Sequence, residues 1–432
     1  MSDLLKKSID NCSAKIGIIG LGYVGLPLAV ELAKSSYRVM GFEVDPLKVK
    51  NIKNKKSYIT DVPAQVLAPL VSSGNLSATT DFKQLRTRDV IIVCVPTPLR
   101  KSKEPDVSYI VAAVDKIAQN LKKGQLIVLE STTYPGTTKE LVMPMLEKKG
   151  FKCGKDFYLA FSPERVDPSN KKYNISNTPK VVGGITKTCG ELAESIYSRV
   201  TNKVIRVSCT EAAEMVKLLE NTFRAVNIAL VNEVALMCDK LKLDVWEIID
   251  SAASKPFGFM PFYPGPGIGG HCIPLDPQYL SWKLKTLNFY SRFIELASEM
   301  NSKMPEYLVQ KIGDVLNEKG KSIRNAKIIL LGVAYKKDVN DLRESPALDV
   351  LKLLLDKKAK VSYFDPNIPE FKWEGLKFRS EKNLNAVSKY DAAVIITNHS
   401  NLDYKKIAQH SKILIDSRNA TKGIESKHIV KL

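Results

Sequence analysis

Hydrophobic positions along the chain change their period several times, and each change marks an element. Residues 15–45 read KIGIIGLGYVGLPLAVELAKSSYRVMGFEVD. A short isoleucine-rich run predicts a strand, a glycine turn ends it, apolar residues at helical spacing follow, and a second apolar run closes at Glu43. The stretches DVIIVCVPTP (89–98) and QLIVLESTTYPGT (125–137) are continuously apolar and then polar, the pattern of strands covered on both faces of a parallel sheet. Residues 210–241, TEAAEMVKLLENTFRAVNIALVNEVALMCDKL, hold no Gly or Pro and keep helical spacing for about eight turns. That exceeds an ordinary globular helix and predicts one that links domains and packs against a second subunit. After the polar stretch NEKGKSIRN (317–325) the pattern restarts as AKIILLGVAYK, a helix over about 345–357 and AKVSYFDPN, with DAAVIITNHS and KILIDSR as further strands.

Two such alternations predict an α/β chain: two Rossmann-like doubly wound domains joined by a long central helix and a helical middle region. The boundaries expected are 1–209, 210–318 and 319–432, in keeping with the two or three domains that 432 residues suggest. No apolar run approaches the ~18 residues needed to span a bilayer. The longest, VIIVCVP (90–96) and KIILLGVAY (327–335), have strand length. The N-terminal MSDLLKKSIDNCSAK is polar where a signal peptide needs an apolar core, which reads as a cytoplasmic protein without a membrane partner. Seven cysteines, Cys12, Cys94, Cys153, Cys189, Cys209, Cys238 and Cys272, form no CxxC pair and no zinc-like spacing, so no metal is expected. The formal charge of +19 comes from lysines spread along the chain without an arm or a run of five. It reads as a solvated surface, and a nucleic-acid partner would rest on charge alone.

The candidate chemistry sits at three places. Gly20, Gly22 and Gly25 form a GxGxxG where a strand hands over to a helix, which lets a pyrophosphate approach the helix N-terminus. Glu43, 23 residues past Gly20, is placed for the ribose hydroxyls and favours NAD over NADP by repelling a 2′-phosphate. Thr97, Ser131 and Thr132 fall at the carboxyl ends of strands, where open α/β sheets bind ligands, although turn-stabilising hydroxyls would look the same. Lys217 and Asn221, four apart, share a helix face, for which solvent exposure is the ordinary alternative. Residues 264–277, PGPGIGGHCIPLDP, set Cys272 among four glycines and four prolines, a density that excludes helix and strand and implies a shaped loop. In the second alternation LGVAYK replaces the glycine fingerprint, so a nucleotide-like ligand other than a dinucleotide is expected there.

Taken in order, GLGYVGLPLA, ESTTYPGT, SPERVDPSN, EMVKLLENTFRAVN, GPGIGGHCIPLDP and AYKKDVNDLRES resemble the UDP-glucose/GDP-mannose dehydrogenase family over nearly the whole chain. SPERVDPSN with PKVVGG, and the ENTFRAVNIALVNE helix, look most like the branch acting on UDP-N-acetylhexosamines, UDP-N-acetylglucosamine in particular. The resemblance implies a four-electron oxidation of the sugar C6 alcohol to a carboxylate with two NAD reduced in turn, for surface polysaccharide synthesis. UDP-N-acetylmannosamine and UDP-glucose remain the alternative substrates, and a homodimer or higher homo-oligomer is the expected assembly.

By the same resemblance Cys272 is the nucleophile that holds the intermediate as a thiohemiacetal and then a thioester. Lys217 and Asn221 stabilise the oxyanion, Asp276 orders a water or assists proton removal, and Glu164 is the hydrolysis base, with Thr132 positioning the water. NAD would be held by Gly20, Gly22, Tyr23, Val24, Gly25, Glu43, Thr97, Ser131, Thr132 and Arg343. The substrate would meet Glu164, Arg165, Val166, Lys217, Asn221, Arg224, Phe262, Tyr263, Gly269 and Lys336. His271 is given no catalytic role, because adjacent side chains in an extended loop point apart. A regulator that kept the nucleotide fold but lost catalysis is the alternative of another class, and the intact set Cys272, Lys217, Asn221, Asp276 and Glu164 argues against it.

Overall fold

A computed structural model describes residues 1–59, 61–100, 104–167, 170, 172–270 and 272–432. The chain divides into two compact units, Met1–Glu220 with Gln278–Phe289, and Asn221–Pro277 with Tyr290–Leu432. The helix Thr210–Leu241 is continuous across the first division and the helix Asp276–Lys285 across another.

The first unit is built on strands β1 (Lys15–Ile19), β2 (Arg38–Phe42), β3 (Leu76–Thr79), β4 (Val90–Val93), β5 (Leu126–Leu129), β6 (Tyr158–Phe161), β7 (Lys180–Gly184) and β8 (Val204–Val207). They lie in the order β3-β2-β1-β4-β5-β6-β7-β8. All pairs are parallel except β6 with β7. The continuous apolar runs have a direct cause: Val90, Ile92, Leu126 and Val128 enter one core, while Ile91, Val93, Ile127 and Leu129 enter another on the opposite face. β4 is shorter than its apolar run, because the chain leaves the sheet at Cys94, whose carbonyl lies against Gly20.

In the second unit, strands β9 (Lys327–Leu331), β10 (Lys360–Phe364), β11 (Glu370–Trp373), β12 (Leu376–Arg379), β13 (Ala392–Ile395), β14 (Leu414–Asp416) and β15 (Ile429–Lys431) follow in sequence. Five make a sheet in the order β10-β9-β13-β14-β15, all parallel, and β11 and β12 form an antiparallel hairpin. Both sheets therefore reverse strand order beside their first strand, where α/β folds place ligands.

The two sheets share a further device. Asp89, just before β4, accepts the first N–H of β1 from Lys15 at 2.9 Å, and Asp391, just before β13, accepts the first N–H of β9 from Lys327 at 2.9 Å. Each carboxylate satisfies a donor at a strand start and fixes which strand lies beside the first. Among the described residues, no helix is long and apolar enough to cross a membrane.

Candidate active site

The glycine turn after β1 is shaped by contacts that a side chain would destroy. Gly20 has φ +88°, and a Cβ there would stand 2.5 Å from the Cys94 carbonyl oxygen. A Cβ on Gly25, the first residue of the helix Gly25–Lys34, would overlap the Gly20 carbonyl. Gly22 differs: a Cβ there meets nothing within 4 Å, so the protein's own packing gives no reason for glycine. Tyr23 is exposed and Val24 caps the helix. Glu43, buried at the end of β2, accepts the Leu21 N–H at 3.1 Å and the Val44 N–H at 2.9 Å, with the Lys48 ammonium at 3.3 Å. A turn open at Gly22, at a helix N-terminus, with an acid at the neighbouring strand end, fits a dinucleotide.

At the ends of β4 and β5, Ser131 Oγ accepts the Val95 N–H at 2.9 Å and donates to the Val93 carbonyl at 3.3 Å. Its hydroxyl thus ties two strand ends together. Thr97 presents its carbonyl to the buried Tyr279 hydroxyl at 2.8 Å. Leu129 pairs with Phe161 across β5 and β6, so Thr132 and Glu164 each stand three residues beyond paired positions on neighbouring strands.

Glu164 is closely held. Its Oε1 accepts the Arg165 and Val166 N–H groups, both at 2.7 Å, and its Oε2 stands 3.4 Å from the Lys180 ammonium. Its main-chain carbonyl takes the Lys217 ammonium at 2.6 Å. Burial pushes the Glu164 carboxyl above its usual range, opposed by the two N–H bonds and by the charges of Lys217 and Arg165. Arg165 is itself tied to Glu220 at 2.6 Å and to the Pro179 carbonyl at 2.6 Å. Glu214, on the same helix as Lys217, accepts the Gly136 N–H at 2.6 Å and the Thr138 N–H at 2.9 Å. It anchors the end of the ESTTYPGT loop.

Lys217 and Asn221 are 9% and 7% exposed, so this helix face is buried rather than solvated. Asn221 Nδ2 donates to Asp276 Oδ2 at 2.5 Å, and Asp276 is 3% exposed. The Asp276 N–H in turn donates to the Cys272 carbonyl at 2.8 Å, so the loop turns into the helix Asp276–Lys285 immediately after the cysteine. Cys272 is half-buried.

Two amides fix the start of this loop. Asn232 Oδ1 accepts the Gly265 N–H at 2.9 Å, while Asn232 Nδ2 donates to Asn301 Oδ1 at 2.9 Å. Farther along, the Gly270 N–H donates to the Arg343 carbonyl at 3.1 Å, and a Cβ on Gly269 would stand 2.7 Å from the Glu344 carbonyl. The AYKKDVNDLRES segment thus grips the cysteine loop through its main chain. The Arg343 guanidinium is engaged by Asp341 at 2.6 Å, and Lys336 is half-buried. Phe262 packs edge-on against Phe223 at 5.7 Å, Tyr263 stacks on Trp246 at 5.9 Å, and Arg224 is exposed. His271 lies outside the described residues.

Within the first unit the structure therefore brings Glu164, Arg165, Val166 and Lys217 together, and within the second it joins Asn221, Asp276 and the Cys272 loop. Sequence reasoning missed Lys180, Glu130, Glu214, Asn232 and Asn301. For Asn232 a signal was present, a lone amide in the apolar run ALVNEVAL.

Three models of the UDP-glucose/GDP-mannose dehydrogenase family match the chain: the NAD binding domain over residues 14–201, the central domain over 211–303 and the UDP binding domain over 329–423. The chain is 35% identical over 354 residues to a UDP-N-acetyl-D-glucosamine 6-dehydrogenase of Pseudomonas aeruginosa, covering 82% of each protein. It is 37% identical over 420 residues to a UDP-N-acetyl-D-mannosamine dehydrogenase of Methanococcus maripaludis, covering 94% of this chain and 92% of that one. Among solved structures, the UDP-D-ManNAc dehydrogenase of Pyrococcus horikoshii superposes with a TM-score of 0.88 at 33% identity, covering 96% and 98% of the two chains.

Proposed function

Because the chain belongs to the UDP-glucose/GDP-mannose dehydrogenase family and is an NAD-dependent nucleotide-sugar dehydrogenase, we propose that it oxidises the C6 alcohol of a UDP-N-acetylhexosamine to the carboxylate through a Cys272 thioester. UDP-N-acetylglucosamine is the first substrate to test. UDP-N-acetylmannosamine is the second, favoured by the 37% identity over 94% of the chain to an enzyme of that name. We assign the cofactor to residues 1–209, the cysteine loop to 210–318 and the UDP moiety to 319–432. The acid product would serve surface polysaccharide synthesis.

The observation that carries the reading is the hydrogen bond from Asn221 to Asp276. It ties the helix position of Asn221 to the residue four past Cys272. The turn at Gly20, Gly22 and Gly25 with Glu43 would hold NAD, which would supply the hydride acceptor for each oxidation. Asp276 assists removal of the alcohol proton, giving an aldehyde at C6. An aldehyde carbon releases no second hydride until a nucleophile adds, and the Cys272 thiolate supplies that bond as a thiohemiacetal. Lys217 and Asn221 steady the negative oxygen. The second oxidation leaves a thioester, and Glu164 takes a proton from the water that cleaves it, releasing the acid and the thiol.

Met215, Leu219, Phe223, Leu230, Met237 and Leu241, exposed along the Thr210–Leu241 helix, support the homodimer in this reading. Among the described residues no disulfide joins the seven cysteines, which fits a reducing cytoplasm.

Glu164→Gln tests the mechanism. With excess NAD it should give a burst approaching two NADH per active site and then a slow steady rate, with the acyl group mapped by mass spectrometry to Cys272. A burst without an adduct, or an adduct on another cysteine, refutes it. Wild-type rates with UDP-N-acetylglucosamine, UDP-N-acetylmannosamine and UDP-glucose, measured side by side, decide the substrate.

A further inference from the structure

Behind Glu164 the first unit buries a second set of ionisable groups that the mechanism above does not use. Lys180 opens β7, and its side chain is only 5% exposed. Its ammonium is paired with Glu130, the residue after β5, whose side chain is fully buried. The same ammonium stands 3.4 Å from Glu164 Oε2 and 5.0 Å over the Tyr197 ring. Glu130 is held in turn by the Tyr197 hydroxyl at 3.2 Å and the Cys94 thiol at 3.7 Å. Three strand ends thus deliver one cation between two carboxylates.

The other charges near Glu164 are directed elsewhere. The Arg165 guanidinium binds Glu220 and the Pro179 carbonyl, and the Lys217 ammonium binds the Glu164 main-chain oxygen. Glu164 Oε1 is occupied by two backbone N–H groups. Among the described residues, Lys180 is the cation paired with Oε2. A base that takes a proton from water must be ionised and held still, and a buried carboxyl left to itself is neither.

We propose that Lys180, anchored by Glu130, is a positioning residue for thioester hydrolysis: it fixes Oε2 of Glu164 and keeps that carboxylate ionised. The proposal rests on the reading of Glu164 as the hydrolysis base. Burial, with the charge of Lys217, lowers the Lys180 ammonium to about 7, and burial raises Glu164 against the opposing charge of Lys217, so the two titrate toward each other. The Cys94 thiol, pushed up to about 12 by burial, and the Tyr197 phenol, pushed well up by burial, stay neutral at working pH. Lys180, Glu164, Glu130, Lys217 and the Arg165–Glu220 pair are therefore the charges that set the acid limb.

The test is Lys180→Met in the full-length enzyme with NAD and whichever nucleotide sugar it turns over. The two-NADH burst should keep its amplitude and its rate within about threefold. Steady turnover at pH 7 should fall by about tenfold or more, with thioester accumulating on Cys272, a loss that one charge-assisted hydrogen bond can account for. The acid limb of the steady rate should rise by about one pH unit, because losing a nearby cation favours the protonated carboxyl. Lys180→Arg, which keeps the cation if the methionine variant folds poorly, should hold the acid limb at or below the wild-type position. A burst that falls in step with the steady rate, an unmoved acid limb in Lys180→Met, or a raised one in Lys180→Arg overturns the proposal. If Glu164→Gln fails to give a burst followed by slow turnover, the reading beneath it fails. If Glu164→Gln does so and Lys180→Met does not, only the proposal falls.

Discussion

Replacing each fingerprint glycine by alanine should separate three roles that one motif conceals. At Gly20, alanine must adopt φ +88° and place its methyl 2.5 Å from the Cys94 carbonyl oxygen. The left-handed backbone costs about 1–2 kcal/mol and shifting a packed strand end about 1–3 more, so Gly20→Ala should lose roughly 2–5 kcal/mol. Gly25→Ala should lose a similar amount, since its methyl would overlap the Gly20 carbonyl. At Gly22 no protein atom lies within 4 Å of the added methyl and the backbone is not left-handed. Gly22→Ala should therefore leave the apo protein unchanged or up to ~1 kcal/mol more stable, through the reduced freedom of its unfolded chain. Its cost should appear only when a pyrophosphate seeks the space the methyl fills: NAD affinity should drop at least tenfold, about 1.4 kcal/mol. Urea titration of the apo variants and calorimetric titration with NAD measure the two quantities separately. A Gly22→Ala protein destabilised by more than about 1 kcal/mol, or one that binds NAD within twofold of wild type, would refute this account of the turn.

Glu43→Ala should weaken NAD by about tenfold and NADP less, because it removes the ribose acceptor and releases Lys48, now 3.3 Å from the carboxylate, toward a 2′-phosphate. Equal losses for both cofactors in parallel titrations would count against the assignment. Asn232→Ala leaves the Gly265 N–H and Asn301 Oδ1 buried without their shared partner. It should lower stability by roughly 2–4 kcal/mol and kcat by tenfold or more through the cysteine loop, and wild-type values of both would show that the loop is held by other contacts.

What could be read in advance divides by range of interaction. The fingerprint, the strand runs and the long helix are local patterns, and each lies where its period put it. Burial of Lys217 and Asn221 was not local. A helix face is read by its apolar residues, and two polar ones four apart look solvated until Glu164 and Asp276 are found against them. Ser131 shows the opposite outcome, since its hydroxyl is spent on the Val93 and Val95 backbone and so serves the strand ends at least as directly as any cofactor. Lys180 and Glu130 lie 50 residues apart and meet only because β7 runs antiparallel beside β6. No spacing in the sequence announces a pair made by sheet order. Gly269 and Gly270 announced a shaped loop, but not that its mould is the main chain at Arg343 and Glu344.

The two sheets test why one glycine turn is built for a dinucleotide and the other is not. Both end their second strand in an acid that reaches back to the turn after the first strand, Glu43 to the Leu21 N–H and Asp365 to the Val333 and Ala334 N–H groups. The remaining partners differ. Glu43 is met by Lys48, whose side chain is 36% exposed and can yield to a ribose hydroxyl. Asp365 is met by His399 Nε2 at 3.1 Å, and both of those side chains are fully buried. The Asn367 and Ile368 N–H groups take its other oxygen at 2.8 and 3.2 Å. An acid so enclosed has no capacity left for a ligand, and removing any one partner would strand a buried polar group. The same strand-end carboxylate thus serves recognition in the first unit and internal structure in the second, so a nucleotide in the second unit must be held by other groups than its strand-end acid.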